Sequence, residues 1–124
     1  MPYAYDPQNI FARILRGEIP NKTVLETEHT LAFHDIAPQA PLHVLVIPKG
    51  AYVNHAHFAR DASAEELVDF NRAVARICTD LGLGDDPDNF RVISNAGVHG
   101  GQEVPHYHLH LVAGRPLGRM LERD

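Results

Sequence analysis

A chain of 124 residues supports one compact domain and leaves little room for a second core. With 44% hydrophobic and 22% charged residues, its composition is that of a folded globular protein and excludes a disordered one. The formal charge of −5, from 16 Asp and Glu against 11 Lys and Arg, argues against a surface that tracks nucleic acid but leaves a small anionic ligand open.

In chain order, Asp6-Pro7 followed by Ile10, Phe11, Ile14 and Leu15, and closing at Gly17, predicts a short helix with Asp6 as its cap. Val24 to Glu26, Thr30 to Phe33 and His43 to Ile47 read as strands, the last bounded by Pro41 and Pro48. Ser63 and Glu66 form a capping-box pattern, after which Leu67, Phe70, Val74, Ile77 and Leu81 recur at helical spacing until Gly82. Beyond the polar turn from Gly84 to Asp88, Phe90 to Ser94 and His106 to Val112 read as a fourth and a fifth strand. Cys78 and Met120 are expected to be packing residues, and residues 116–124 a C-terminal tail. Strands with one long and one short helix point to an α+β fold on a five-stranded antiparallel sheet. A single cysteine permits no intrachain disulfide and no Cys-rich zinc site, and no apolar run is long enough to span a bilayer, so a cytoplasmic protein with no membrane partner is expected.

Nine histidines are the compositional oddity, and three of them alternate in His106-Tyr107-His108-Leu109-His110. On a strand they would share one face while Tyr107, Leu109 and Leu111 share the other. The outer two would lie roughly 13 Å apart along the backbone, too far for one zinc to take all three, although zinc on two neighbours plus His43 is chemically reasonable. Catalysis explains the row better. Clustered imidazoles suppress one another's protonation, and a neutral imidazole attacks phosphorus well when a second group holds its other nitrogen. The glycine pair Gly100-Gly101 ahead of the row can turn backbone N–H groups toward an oxyanion. No Lys or Arg lies between Asn95 and Val112, which favours a single phosphoryl centre over a polyphosphate chain.

The run from His106 to Val112 resembles the His-φ-His-φ-His-φ-φ signature of the histidine triad (HIT) family, without a gap. Similarity continues through Ile10-Phe11, Gly17 to Pro20, Leu31 to Pro41, His43 to Lys49 and Asn95 to Arg115, so one HIT domain spanning 1–124 is expected. These blocks look most like the Hint branch. That resemblance implies a purine nucleoside phosphoramidase, cleaving the P–N bond of adenosine or guanosine 5′-phosphoramidates and of lysyl-adenylate-type adducts without a metal or cofactor. It implies attack by His108, orientation by His106 and His43, and contact of His110 with the phosphoryl oxygens. Asn95 and the Gly101-Gln102 backbone would hold the phosphate, with Glu103 and Val104 beside it. Asp35 would take the ribose, and Ile10, Phe11, Ile14, Phe33 and Ile36 would wall the base with His34 nearby. A homodimer with a ten-stranded sheet is implied as well. The competing readings are a Fhit-type dinucleoside polyphosphate hydrolase and a non-catalytic nucleotide-binding or zinc-binding interaction protein. Glu103 departs from the Ser or Thr common in the branch: facing the site it would attract a cationic amine leaving group, and facing solvent it would be a surface charge. His29, His55, His57 and His99 are expected in solvated turns or loops.

Overall fold

The computed structural model describes residues 3–85 and 87–122; Met1-Pro2, Asp86 of the polar turn and Arg123-Asp124 of the tail lie outside the described residues. The elements in order are α1 (Ile10–Leu15), β1 (Thr23–Glu26), β2 (Thr30–His34), β3 (Leu42–Pro48), α2 (His55–Asp61), α3 (Ala64–Asp80), β4 (Phe90–Ile93), α4 (Gly97–Gly100) and β5 (Leu109–Ala113). The strands form one antiparallel sheet in the order β1-β2-β3-β5-β4.

Central β3 is buried along almost its whole length because the sheet is covered on both faces. Cross-strand partners share a face, so the register sorts the side chains. Ala32 pairs with Val46 and Val44 with Leu111, and these residues meet Phe70, Ala73, Ile77 and Cys78 of α3 in the larger core. On the opposite face Phe33 pairs with Leu45 and Leu45 with His110, and there α1 adds Phe11 and Ile14 to a smaller core. The alternation in β5 thus separates functions by face: Leu111 and Tyr107 serve the large core, and His110 faces the α1 side.

Helix α3 follows its sequence signature. Ser63 Oγ accepts from Glu66 N at 3.1 Å and Ser63 N donates to Glu66 Oε1 at 3.0 Å, satisfying two donors that a helix start leaves unpaired. The helix stops at Leu81, before Gly82 at φ +73°.

Several expectations are corrected. The cap of α1 is Asn9, whose Oδ1 accepts from Ala12 N at 2.9 Å; Asp6 closes the preceding turn by accepting from Gln8 N. His55 and His57 lie in helix α2 and His99 in the single turn α4, not in loops. Helix α2 buries only Phe58, so its seven residues carry no apolar period to read. Ser94 lies beyond β4. Strand β5 begins at Leu109 rather than His106, because the preceding residues bond outside the ladder: Tyr107 N donates to Tyr52 O at 2.7 Å, and the His106 ring reaches Pro48 O. Cys78 packs as expected, but Met120 is 84% exposed. The described part of the tail is tied down by Arg91, whose Nη2 donates to Gly118 O at 2.8 Å. Among the described residues no helix is long and apolar enough to cross a membrane.

Candidate active site

The α1 face of the sheet opens into a cavity of about 370 Å³. Its apolar wall includes Ile10, Phe11 and Ile14 of α1, Phe33 of β2 and Leu45 of β3; Phe11, Ile14 and Phe33 also pack in the smaller core. Ile36 lines the cavity too, although it is 93% exposed and so sits at the rim. The polar wall brings together His34, Asp35, Asn95, Gly101, Glu103, Val104, His108 and His110 from four separate stretches of chain. Three predicted residues, His106, His43 and Gln102, stand behind this surface rather than on it.

Each triad histidine has a different task. His106 is fully buried, with Nε2 2.8 Å from the Pro48 carbonyl and Nδ1 2.6 Å from the Tyr5 hydroxyl. A carbonyl can only accept, so Nε2 carries the proton and Nδ1 accepts from Tyr5. His108 Nδ1 lies 2.7 Å from the His106 carbonyl and by the same logic is the protonated nitrogen. Its Nε2 keeps the lone pair and has no hydrogen-bond partner among the described residues. The edge of Phe11 against the His108 ring, with centroids 5.0 Å apart at 87°, fixes the ring plane. His106 therefore orients His108 through its main chain.

His43 acts on His110 rather than on His108. Gln39 N donates to His43 Nδ1 at 3.0 Å, which puts the proton on Nε2, and Nε2 lies 2.9 Å from His110 Nδ1. His110 must then carry its own proton on Nε2, the donor position left for a ligand. Asp35 Oδ2 is 3.4 Å from the same His43 Nε2, and Asp35 Oδ1 accepts from Ala37 N at 2.8 Å. Asp35 thus closes a turn and also lines the cavity. Asp35, His43 and His110 bring ligand-type atoms within 4.8 Å of one another. A protonated His43 Nε2 offers no lone pair, however, so the group as bonded fits a proton chain better than a metal ligand set.

Burial dominates the electrostatics. It pushes the His106 and His110 rings down to about 4, with the neighbouring His108 adding to the effect at both. It lowers His108 as well, against the opposing hydrogen bond to the His106 carbonyl and the charges of Asp35 and Glu103. All three rings are neutral at pH 7.

The loop expected to hold the phosphate differs from expectation. Gly101 N donates to Val98 O at 3.1 Å and Gln102 N to Gly97 O at 3.0 Å, so both N–H groups are occupied in closing α4. The next two N–H groups, of Glu103 and Val104, have no partner among the described residues, and both residues line the cavity. Gln102 stitches the loop instead: its side chain accepts from Gly97 N and donates to Val53 O and Val104 O. Gly101, at φ +76°, makes the left-handed turn that lets the chain leave α4.

Sequence reading passed over Tyr5, which reaches His106 across the fold, and Gln39, whose N–H sets the His43 tautomer. Tyr5 belongs to no pattern in the chain, and Gln39, although inside the Leu31 to Pro41 block, acts through its main chain, which its residue type does not reveal. The wall residues Ile19, Pro20, Asn21 and Leu45 were likewise unassigned. For Leu45 a signal existed, since the unbroken apolar run Val44 to Ile47 marks a strand buried on both faces.

Comparison with known proteins agrees with this architecture. The HIT domain model matches residues 16–117. The chain is 54% identical over 123 residues to a HIT-like protein of Azospirillum brasilense, covering 99% of both. It is 42% identical over 117 residues to the purine nucleoside phosphoramidase of Escherichia coli, covering 92% of this chain and 93% of that protein. Among solved structures, a histidine triad protein from Clostridium difficile aligns with a TM-score of 0.82 at 36% identity, over 95% of this chain and 100% of that one. From sequence signature, sheet order and these matches together, the chain belongs to the HIT family of nucleotide hydrolases and transferases.

Proposed function

We propose that the protein is a purine nucleoside phosphoramidase formed by one domain over 1–124, hydrolysing the P–N bond of adenosine or guanosine 5′-phosphoramidates, lysyl-adenylate-type adducts included. The observation that carries this reading is His108, with Nδ1 held by a carbonyl and an unpartnered Nε2 on a ring that lines a cavity large enough for a nucleoside. His108 Nε2 attacks phosphorus as the P–N bond breaks and the amine leaves with a proton taken from solvent; water then adds its hydroxyl to phosphorus, the bond to Nε2 breaks and the remaining proton returns to solvent, giving the nucleoside monophosphate. The N–H groups of Glu103 and Val104, with Asn95 and the His110 Nε2–H, meet the phosphoryl oxygens as charge develops. Asp35 accepts from the ribose hydroxyls, and the apolar wall takes the base. Among the described residues the cavity lining contains no Lys or Arg, which favours one phosphoryl group over a polyphosphate. The relative that carries the phosphoramidase name, 42% identical, supports the same reaction.

The deciding experiment is steady-state hydrolysis of a fluorogenic adenosine 5′-alkylamine phosphoramidate by wild type and His108→Ala, with and without EDTA. Turnover indifferent to EDTA and reduced about a thousandfold or more in the variant is the expected result. A folded wild type that binds AMP and turns over no phosphoramidate overturns the reading. We further propose that two copies pair through the edge strand β4, whose Phe90 and Val92 are 38% and 40% exposed.

A further inference from the structure

Glu103 is a charged part of the polar wall whose side chain the proposed chemistry leaves without a task. It sits in the link between α4 and β5, five residues before His108 and seven before His110, on the cavity lining. Its side chain is exposed and makes no hydrogen bond or ion pair among the described residues. The other cavity carboxylate, Asp35, is engaged by Ala37 N and lies against His43. Both acids are close enough for their fields to reach the His108 ring. With no Lys or Arg on the lining among the described residues and the triad rings neutral, nothing described on this wall offsets the Glu103 charge.

A free carboxylate beside a phosphate-binding centre is a liability unless the substrate brings a compensating cation. Arg91 and Arg115 open instead onto a second cavity beyond His110 and are engaged by backbone carbonyls of Gly118, Pro116 and Gln39. They leave the Glu103 side of the cavity negative. An exposed residue on the lining stands at the rim, where whatever does not fit the apolar interior emerges.

We propose that Glu103 reads the charge of the leaving group, selecting phosphoramidates whose departing amine carries a second, distal ammonium over neutral or anionic ones. This inference rests on the phosphoramidase reading above. Glu103 is here a specificity determinant and takes no part in bond breaking. The N–H of the same residue binds phosphate, so the Glu103→Gln variant keeps that donor and removes only the charge.

The test measures kcat/KM for three adenosine 5′-phosphoramidates of matched chain length, ending in an ammonium, a hydroxyl or a carboxylate, with wild type and Glu103→Gln. The readout is the ratio between substrates within each protein, so a general loss of activity cancels. Wild type is expected to prefer the ammonium over the hydroxyl by about three- to fivefold, the range of a solvent-exposed ion pair, with the carboxylate last. The preference should vanish in Glu103→Gln and shrink in wild type at 1 M salt, where the screening length is about 3 Å. Equal rates for the three substrates in wild type, or a preference that survives in Glu103→Gln, overturns the proposal. Should wild type hydrolyse none of them, the phosphoramidase reading itself fails; binding of the matching aminoalkyl and hydroxyalkyl 5′-phosphodiesters then decides whether Glu103 selects charge, equal affinities overturning that as well.

Discussion

Three histidines sit where burial keeps them neutral, and at the scale of single residues this decides both reactivity and acid stability. In the unfolded chain each titrates near 6.5, whereas in the fold His106 and His110 titrate near 4 and His108 is also lowered. Between those values the unfolded chain binds more protons, so stability rises with pH through this window. It is fully present above about pH 6.5 and is lost as pH falls toward 4. Thermal melts from pH 7.5 to 4.5 should show Tm falling across this window, and a Tm independent of pH would contradict the assignment. The rate on a phosphoramidate with an uncharged leaving group should fall at a pH below the ordinary imidazole range, as His108 Nε2 gains a proton. Tyr5 supplies a second prediction. Tyr5→Phe leaves His106 Nδ1 unpaired in a fully buried ring and should cost about 1–3 kcal/mol in urea unfolding. Since His106 positions His108, kcat should drop more than KM changes; an equal effect on both would reduce Tyr5 to a structural contact.

At the scale of elements, local signals succeeded where they had length to act over. The 17 residues of α3 carry a capping box and an apolar stripe, and the helix forms between the residues those signals mark. For six-residue α1 the sequence marks Asp6 as the cap, whereas the helix that packs Phe11 and Ile14 against the sheet is capped by Asn9. Asn9→Ala should therefore destabilise by about 1 kcal/mol in chemical denaturation, while Asp6→Ala should cost less. Gly114 shows the same dependence on context. At φ +104° it follows β5, and an added Cβ would lie 2.7 Å from Pro41 Cβ. Gly114→Ala should lower Tm by several degrees through strain and overlap together, measurable by calorimetry.

For the whole molecule, the sheet order sets which strands are edges. With β1 and β4 outermost, β4 presents half-exposed Phe90 and Val92 while β3 and β5 carry the site at the centre. Pairing through β4 predicts that Val92→Lys shifts the protein toward monomer in light scattering, with the fold intact by circular dichroism. A monomeric wild type would remove that assembly. The same order explains how residues as distant in sequence as Asp35, Asn95 and His110 share one cavity: β3 separates β2 from β5, and the loops at their ends converge there.

The sequence by itself determined the fold class, the long helix and the five strands, and it marked the histidine row that the proposed chemistry uses. Those depend on periodicities and on a seven-residue signature that survive in one dimension. Hydrogen-bond partners did not. That His43 addresses His110, that Gly101 and Gln102 spend their N–H groups closing α4, and that Tyr5 holds His106 across 101 residues were decided only by tertiary structure. A tautomer depends on which donor or acceptor meets each ring nitrogen, and in this site those partners come from distant stretches of chain that only the assembled sheet brings within hydrogen-bonding distance.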